Sequence, residues 1–326
     1  MEKINVGYYL KPHVWIGVKA NEENATELAF VEENISSGID LGVQRQGLVL
    51  ASIDTTEIPD YRKSDAVNLL RSESASFVLN FFNALSFSLY EAHLKKHKGS
   101  FQSVPQEILL EDLYLWPGDH KSINEINRIQ PSPICSGEFD TFQEGVSKLR
   151  KTVGHLDQED LKFRIEISDD IFSQYLDKEL LSPNVLKLFS LINRGIVSIR
   201  GASFDMALIN IWTVIELIMK EIWSAFLNGK DLPRKRKEFL NGRDITAAII
   251  SENLNLHGVI CGSLYEKISE ARKARNKLMH ELKAIDPAVC YSAFEAVKEL
   301  INIQYSIKVS HNGSFFMGDI KFGQVR

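Results

Sequence analysis

The stretch from Leu264 to Leu282 constrains this chain more than any other. Its sequence, LYEKISEARKARNKLMHEL, has no Pro or Gly and is rich in Ala, Leu, Glu, Lys and Arg, the composition of a helix. Leu264, Ile268, Ala271, Leu278, Leu282 and Ile285 are separated by three or four residues or their multiples, which predicts one apolar stripe. Arg272, Asn276 and His280 step by fours along a different face, with Arg275 at the edge of the stripe and Met279 beside His280. Such a helix has a core side and a second side carrying Arg, Asn, Met and His together.

The residues around it are also helical. Apolar periodicity predicts helices over 202–227, 244–254, 263–284 and 287–306, then a polar tail with one strand-like piece, Phe315 to Phe322. A basic loop, Pro233-Arg234-Lys235-Arg236-Lys237, joins the first two. The amino half reads differently. Ile4–Leu10, His13–Lys19, Leu28–Val31 and Leu48–Ile53 are short, rich in β-branched or aromatic residues and separated by turn-formers, as in an antiparallel sheet. A core-facing helix follows from Ser64 to Lys98. Pro105, Pro117-Gly118, Pro131 and Pro133 break residues 101–160 into pieces too short to assign. Phe163–Ile167 alternates like a further strand, Asp169-Asp170 predicts a capped helix through Leu180, and Ser182-Pro183 starts another through Ile199. The expected organisation is an α+β domain over 1–165, connecting helices over 166–200, an all-α bundle over 201–308 and a tail over 309–326.

With 326 residues, 44% hydrophobic and 25% charged, the chain has material for two cores. Its net charge of -5 excludes a general nucleic-acid coat while leaving room for a local basic site. Cys135, Cys261 and Cys290 are odd in number and far apart, which indicates neither a disulfide framework nor a zinc site. His93 and His97 have metal-ligand spacing on a helix, yet with Lys95, Lys96 and Lys98 interleaved they read as an exposed basic helix end. No P-loop, GxSxG or GxGxxG is present, and no metal or other cofactor is expected. The amino terminus lacks the apolar run of a signal peptide and no stretch approaches a membrane span, so the expectation is a cytoplasmic protein without a membrane partner.

Arg275-Asn276-Lys277-Leu278-Met279-His280 resembles the signature of the HEPN superfamily, an Arg followed after four to six residues by His near the end of a helix. Met206–Ile218, an apolar helix with Glu216 embedded, is similar to that family's opening helix, and Pro287–Ile303 stands where its closing helix does. The resemblance covers the carboxyl third, and the order of an α+β module before it resembles the ApeA-like branch. It implies a HEPN-like helical bundle and a homodimer in which two motifs face one another. It further implies metal-independent endoribonuclease activity that leaves 2',3'-cyclic phosphate ends, in prokaryotic anti-phage defence or as a toxin, with a regulatory protein or phage-derived trigger as a further partner.

The residue types suit that chemistry. Imidazole titrates near neutrality and can move the proton of a 2'-hydroxyl, and a guanidinium offers a fixed fork of donors to phosphate oxygens. The resemblance therefore assigns His280 as the acid/base group, Arg275 as phosphate stabiliser and Asn276 as an orienting hydrogen-bonder. Two readings stand for Glu216: an acidic group that pairs with Arg275, or a carboxylate on the solvent or dimer side of its helix. Arg234, Lys235, Arg236 and Lys237, with Arg272, Lys273, Lys277 and Lys283, would form a basic collar for an RNA backbone. The alternative is a non-catalytic HEPN-like module for dimerisation or nucleotide binding in a larger assembly, which has no need for both Arg275 and His280.

Overall fold

The computed structural model describes residues 3–10, 14–17, 27–45, 47–59, 73–97, 105–116, 123, 132–133, 165–167, 170–242 and 244–310. The chain forms two compact units, Met1–Ser190 and Leu191–Arg326. The first is α+β and the second is helical, and the division between them lies within the connecting residues 166–200.

The amino unit is built on a sheet. Strands β1 (Lys3–Tyr9), β3 (Leu28–Ser36), β4 (Ile39–Gln44), β5 (Leu48–Asp54), β6 (Tyr114–Trp116) and β7 (Ser132–Pro133) pair antiparallel in the order β3-β4-β5-β1-β6-β7. Strand β2 (Val14–Ile16) pairs in parallel with β8 (Ile165–Ile167). Ile39–Gln44 is a strand that the sequence reading passed over, although Ile39, Leu41 and Val43 alternate and are fully buried. It is joined to β3 by a turn at Ser37-Gly38, where φ of +63° suits glycine. Helix α1 (Glu73–His97) covers the sheet, with Tyr8 of β1 edge-on to Phe82 at 5.2 Å. Residues 64–72 and 98 of the expected helix lie outside the described residues, as do residues 309–326 beyond Ser310, including the strand-like Phe315–Phe322.

Two expectations in this unit are corrected. His93 is buried, only 3% exposed, rather than part of an exposed helix end. The lysines around it are tied down: Lys96 pairs with Asp170, and Lys95 with Asp177 at 3.2 Å. Those same ties replace the helix expected over 169–180. Asp170 makes no helix cap, and the chain forms one π turn at Ile171–Tyr175, extends through Leu176-Asp177 and closes a 3-10 turn at Lys178–Leu181. Asp177 caps that second turn through Glu179 N–H, at 3.2 Å, while its carbonyl accepts from Ser88 of α1. The segment follows its bonds to α1 rather than its own helical propensity.

Helix α2 (Leu186–Arg200) runs across the division between the units. The carboxyl unit continues with α3 (Phe204–Asn228), α4 (Arg234–Leu240), α5 (Ala247–Leu256), α6 (Gly262–Glu281) and α7 (Pro287–Tyr305). Its centre is α3, which buries Leu208, Ile211, Ile215, Ile218 and Ile222 and packs against α7, α5 and α6. Gly195 lets α2 approach α3 closely, since a Cβ there would stand 2.9 Å from Ile211 Cγ1. Among the described residues, no helix is long and apolar enough to cross a membrane.

Candidate functional site

Helix α6 changes character along its length. Leu264, Ile268 and Ala271 are buried, and the apolar stripe enters the core only that far. Leu278 and Ile285 are half-buried, and Leu282 is 87% exposed, which corrects the expectation that all six residues form one core face. Leu282 ends the helix in the left-handed conformation, φ 51°, donating its N–H to Leu278 O at 3.0 Å. The second half is therefore a ledge, held by the first half and open along its sides.

Arg275 and Asn276 are half-buried on this ledge, and Arg275 Nη1 donates to Asn276 Oδ1 at 3.4 Å. His280 is exposed one turn further on, beside Met279, which is 52% exposed. Among the described residues neither the His280 ring nor the Arg275 guanidinium has an acidic partner within its own subunit. Glu216 is half-buried in the middle of α3 and makes no ion pair with Arg275, so the paired reading of Glu216 is not realised within the subunit. Among the described residues there is no group of three or more side chains that could hold a metal.

The basic residues fall into three settings. Arg272 is half-buried, and its Nε lies in the interior without a hydrogen-bond acceptor. Lys273 and Lys277 are exposed and, with Lys283, line a hollow of about 930 Å³ between α6 and the start of α7, with Ala274, Ile285 and Val289 as its apolar wall. Lys283 is paired with Glu281 at 2.6 Å, whereas Lys273 and Lys277 have no acidic partner among the described residues. The run Arg234–Lys237 is not a loop but helix α4, started by Pro233, and this is a correction. Its four cations diverge. Arg234 pairs with Glu238 at 2.7 Å, Lys237 donates to Asn228 O at 3.3 Å, and Lys235 and Arg236 project into solvent.

No family model, no curated protein and no solved structure matches this chain.

Five described side chains of the carboxyl unit titrate away from their ordinary range; two of them, Tyr265 and Tyr291, are raised, the first by its bond to Glu252 and the second by burial. The exposed Cys261 thiol, at the start of α6, is lowered by the Ser263 hydroxyl and then by the Leu264 amide. Cys290, buried in α7 with its Sγ 3.2 Å from Phe204 O, is pushed up to about 12 by burial and by the charges of Asp286 and Asp205. Tyr305 is raised by burial and by its 2.5 Å bond to Glu221. None of the five lies on the ledge. One residue that the sequence reading did not single out stands out from the surface: Phe239, 66% exposed on α4. Its signal was its spacing of three and four from Arg236 and Lys235, visible only once the segment is taken as helical.

Proposed function

We propose that the carboxyl unit is a metal-independent endoribonuclease of the HEPN type that acts as a homodimer, its composite site formed by the Arg275–His280 ledges of two subunits. The observation that carries this reading is the state of the ledge itself: Arg275, Asn276 and His280 stand together on the open half of α6, with the cation and the imidazole unpaired within the subunit. A solvated helix face would gain by placing Asp or Glu at the neighbouring positions, and the only acid in the last two turns, Glu281, is taken by Lys283.

The flanking residues support a partner copy. Met279 and Leu282 are large, apolar and exposed on either side of His280. Leu282 is also an unfavourable local choice, since a left-handed residue with a Cβ costs roughly 1–2 kcal/mol and glycine is the usual occupant. A two-fold interface at this end of α6 would cover both side chains and bring the two motifs to one phosphate. His280 then takes the proton of the 2'-hydroxyl, whose oxygen attacks the adjacent phosphorus as the bond to the 5'-oxygen breaks. The partner's His280 protonates that leaving oxygen, and the products are a 2',3'-cyclic phosphate and a 5'-hydroxyl. The Arg275 guanidinium balances charge on the non-bridging oxygens, with Asn276 fixing its orientation. Lys273 and Lys277 extend the cationic surface along the strand. In this reading the amino unit senses a trigger, recruits a partner or restrains the nuclease.

The test is cleavage of mixed RNA in EDTA by the wild-type, Arg275→Ala and His280→Ala proteins. Wild type is expected to leave cyclic phosphate ends and both variants to leave the RNA intact. Intact RNA in every lane, with folded protein and an infected-cell extract supplied as trigger, favours the non-catalytic module.

A further inference from the structure

Helix α4 is held from one side and bare on the other. Trp223 Nε1 donates to Leu240 O at 2.9 Å, Ser224 Oγ to Asn241 Oδ1 at 3.2 Å, and Lys237 Nζ reaches back to Asn228 O at 3.3 Å. These bonds fix α4 on the end of α3 and turn Lys237 back toward it. Arg234 is neutralised by Glu238. Both of these are exposed, and the exposed side chains left without an ionic partner are Lys235, Arg236 and Phe239, spaced i, i+1 and i+4, so that the ring lies one turn from both cations. Phe239 is 66% exposed, and neither cation has an acidic partner among the described residues.

The neighbouring aromatic residues show how this ring differs. Phe226 is covered, stacked on Trp223 with centroids 5.6 Å apart and capped by Lys230 at 4.4 Å, so it offers no free face. Phe239 has nothing comparable. The surrounding charge favours an anion as well: residues 191–326 hold 19 Lys and Arg against 14 Asp and Glu, whereas residues 1–190 hold 19 against 29. An exposed ring with two cations one turn before it suits a single strand, where a base stacks on the ring and the neighbouring phosphates meet the cations. A seven-residue helix with one exposed apolar side chain lacks the broad apolar face that insertion into a lipid interface requires.

We infer that the Lys235–Arg236–Phe239 face of α4 is a second RNA contact, separate from the Arg275–His280 motif, which takes an unpaired nucleotide by stacking its base on Phe239. This rests on the reading of the carboxyl unit as one that acts on RNA. Such a face gives the protein a hold on the strand away from the scissile phosphate and makes affinity depend on an accessible base.

The experiment measures binding of a labelled oligouridylate, and of its duplex with oligoadenylate, to the full chain carrying His280→Ala, in EDTA and over a range of salt. Adding Phe239→Ala is expected to weaken single-strand binding about tenfold, and Phe239→Trp to restore it. Lys235→Gln with Arg236→Gln should lower the slope of log affinity against log salt by about 1.4, the value for two phosphate contacts on a single strand. Single-strand binding unchanged by Phe239→Ala overturns the proposal, as does an equal loss on the duplex. Phosphatidylserine vesicles that bind the chain through Phe239 would overturn it in favour of a membrane contact. Binding that follows the expected pattern while wild type cleaves nothing rejects the nuclease and keeps this face. Cleavage that needs His280 with binding indifferent to Phe239 does the reverse.

Discussion

The two halves of α6 have the same helical backbone and opposite surroundings. Leu264, Ile268 and Ala271 in the first half are buried among α3, α5 and α7, and substitution there acts on stability. From Arg272 onward the helix carries four cationic side chains and His280 on half-buried or exposed positions, and it ends on an exposed leucine in a strained conformation. The first half is explained by the folded subunit. The second is left open by the subunit, and the proposed function fills it with a partner copy and RNA, a contrast that the following variants sharpen or break.

The largest effect is expected at His280. His280→Ala should reduce RNA cleavage by about 10²–10⁴, the range for loss of a general acid or base, and leave thermal unfolding unchanged. A large drop in melting temperature would mean that the ledge is structural after all. Ile268, fully buried one half-helix away, should behave in the opposite way. Ile268→Ala is expected to cost about 2–5 kcal/mol in urea unfolding, from lost burial and the cavity left behind. A cost below about 1 kcal/mol would place the core elsewhere.

Leu282→Gly should be smaller and of opposite sign. Relief of the left-handed conformation is expected to stabilise the isolated subunit by about 1 kcal/mol, partly offset by the greater freedom of glycine when unfolded. The same change removes an exposed apolar side chain from the proposed two-fold contact, so the dimer should dissociate more readily in sedimentation equilibrium. Stabilisation without any effect on association would remove Leu282 from the interface.

The smallest effects belong to the thiols. Cys261 should be alkylated before Cys290, at a pH below that of an ordinary thiol, because Ser263 and Leu264 favour its thiolate. Cys290 keeps its proton in the native state up to about pH 12, while the unfolded chain loses it near the ordinary value of 9.0. Stability from this group is thus complete below pH 9 and declines as pH rises from there toward 12. Urea midpoints of wild type should fall more steeply over that window than those of Cys290→Ala, and parallel curves would show that another group governs the loss.

How much of this was legible in the sequence depended on whether local pattern and tertiary contact agreed. They agree in α3, α6 and α7, where long apolar periodicities place the helices to within a few residues. They agree also in β1 and β5. They part at residues 170–181, where Asp170 pairs with Lys96 of α1 instead of capping a helix, and Asp177, bonded to Lys95, caps only a short 3-10 turn. Ile39–Gln44 was missed as a strand because Asp40 and Gly42 dilute a three-residue alternation, and pairing on both edges supplies what propensity lacks. Within the candidate site, the spacing of Arg275, Asn276 and His280 was readable from helical geometry. Their exposure was not, because the stripe that continues to Leu282 in the sequence leaves the core after Ala271. The role of Lys237 as a carbonyl donor and the prominence of Phe239 needed the packing of α4 on α3 to be seen.

The central claim, that the open half of α6 works only against its twin, is tested most directly by subunit mixing. Wild-type and His280→Ala chains are unfolded together, refolded at varied ratios and assayed for RNA cleavage in EDTA. A composite site needs two intact ledges, so activity should follow the square of the wild-type fraction, falling to about one quarter at equal mixing. A linear fall, to about one half, would show that each subunit cuts alone and would contradict the account.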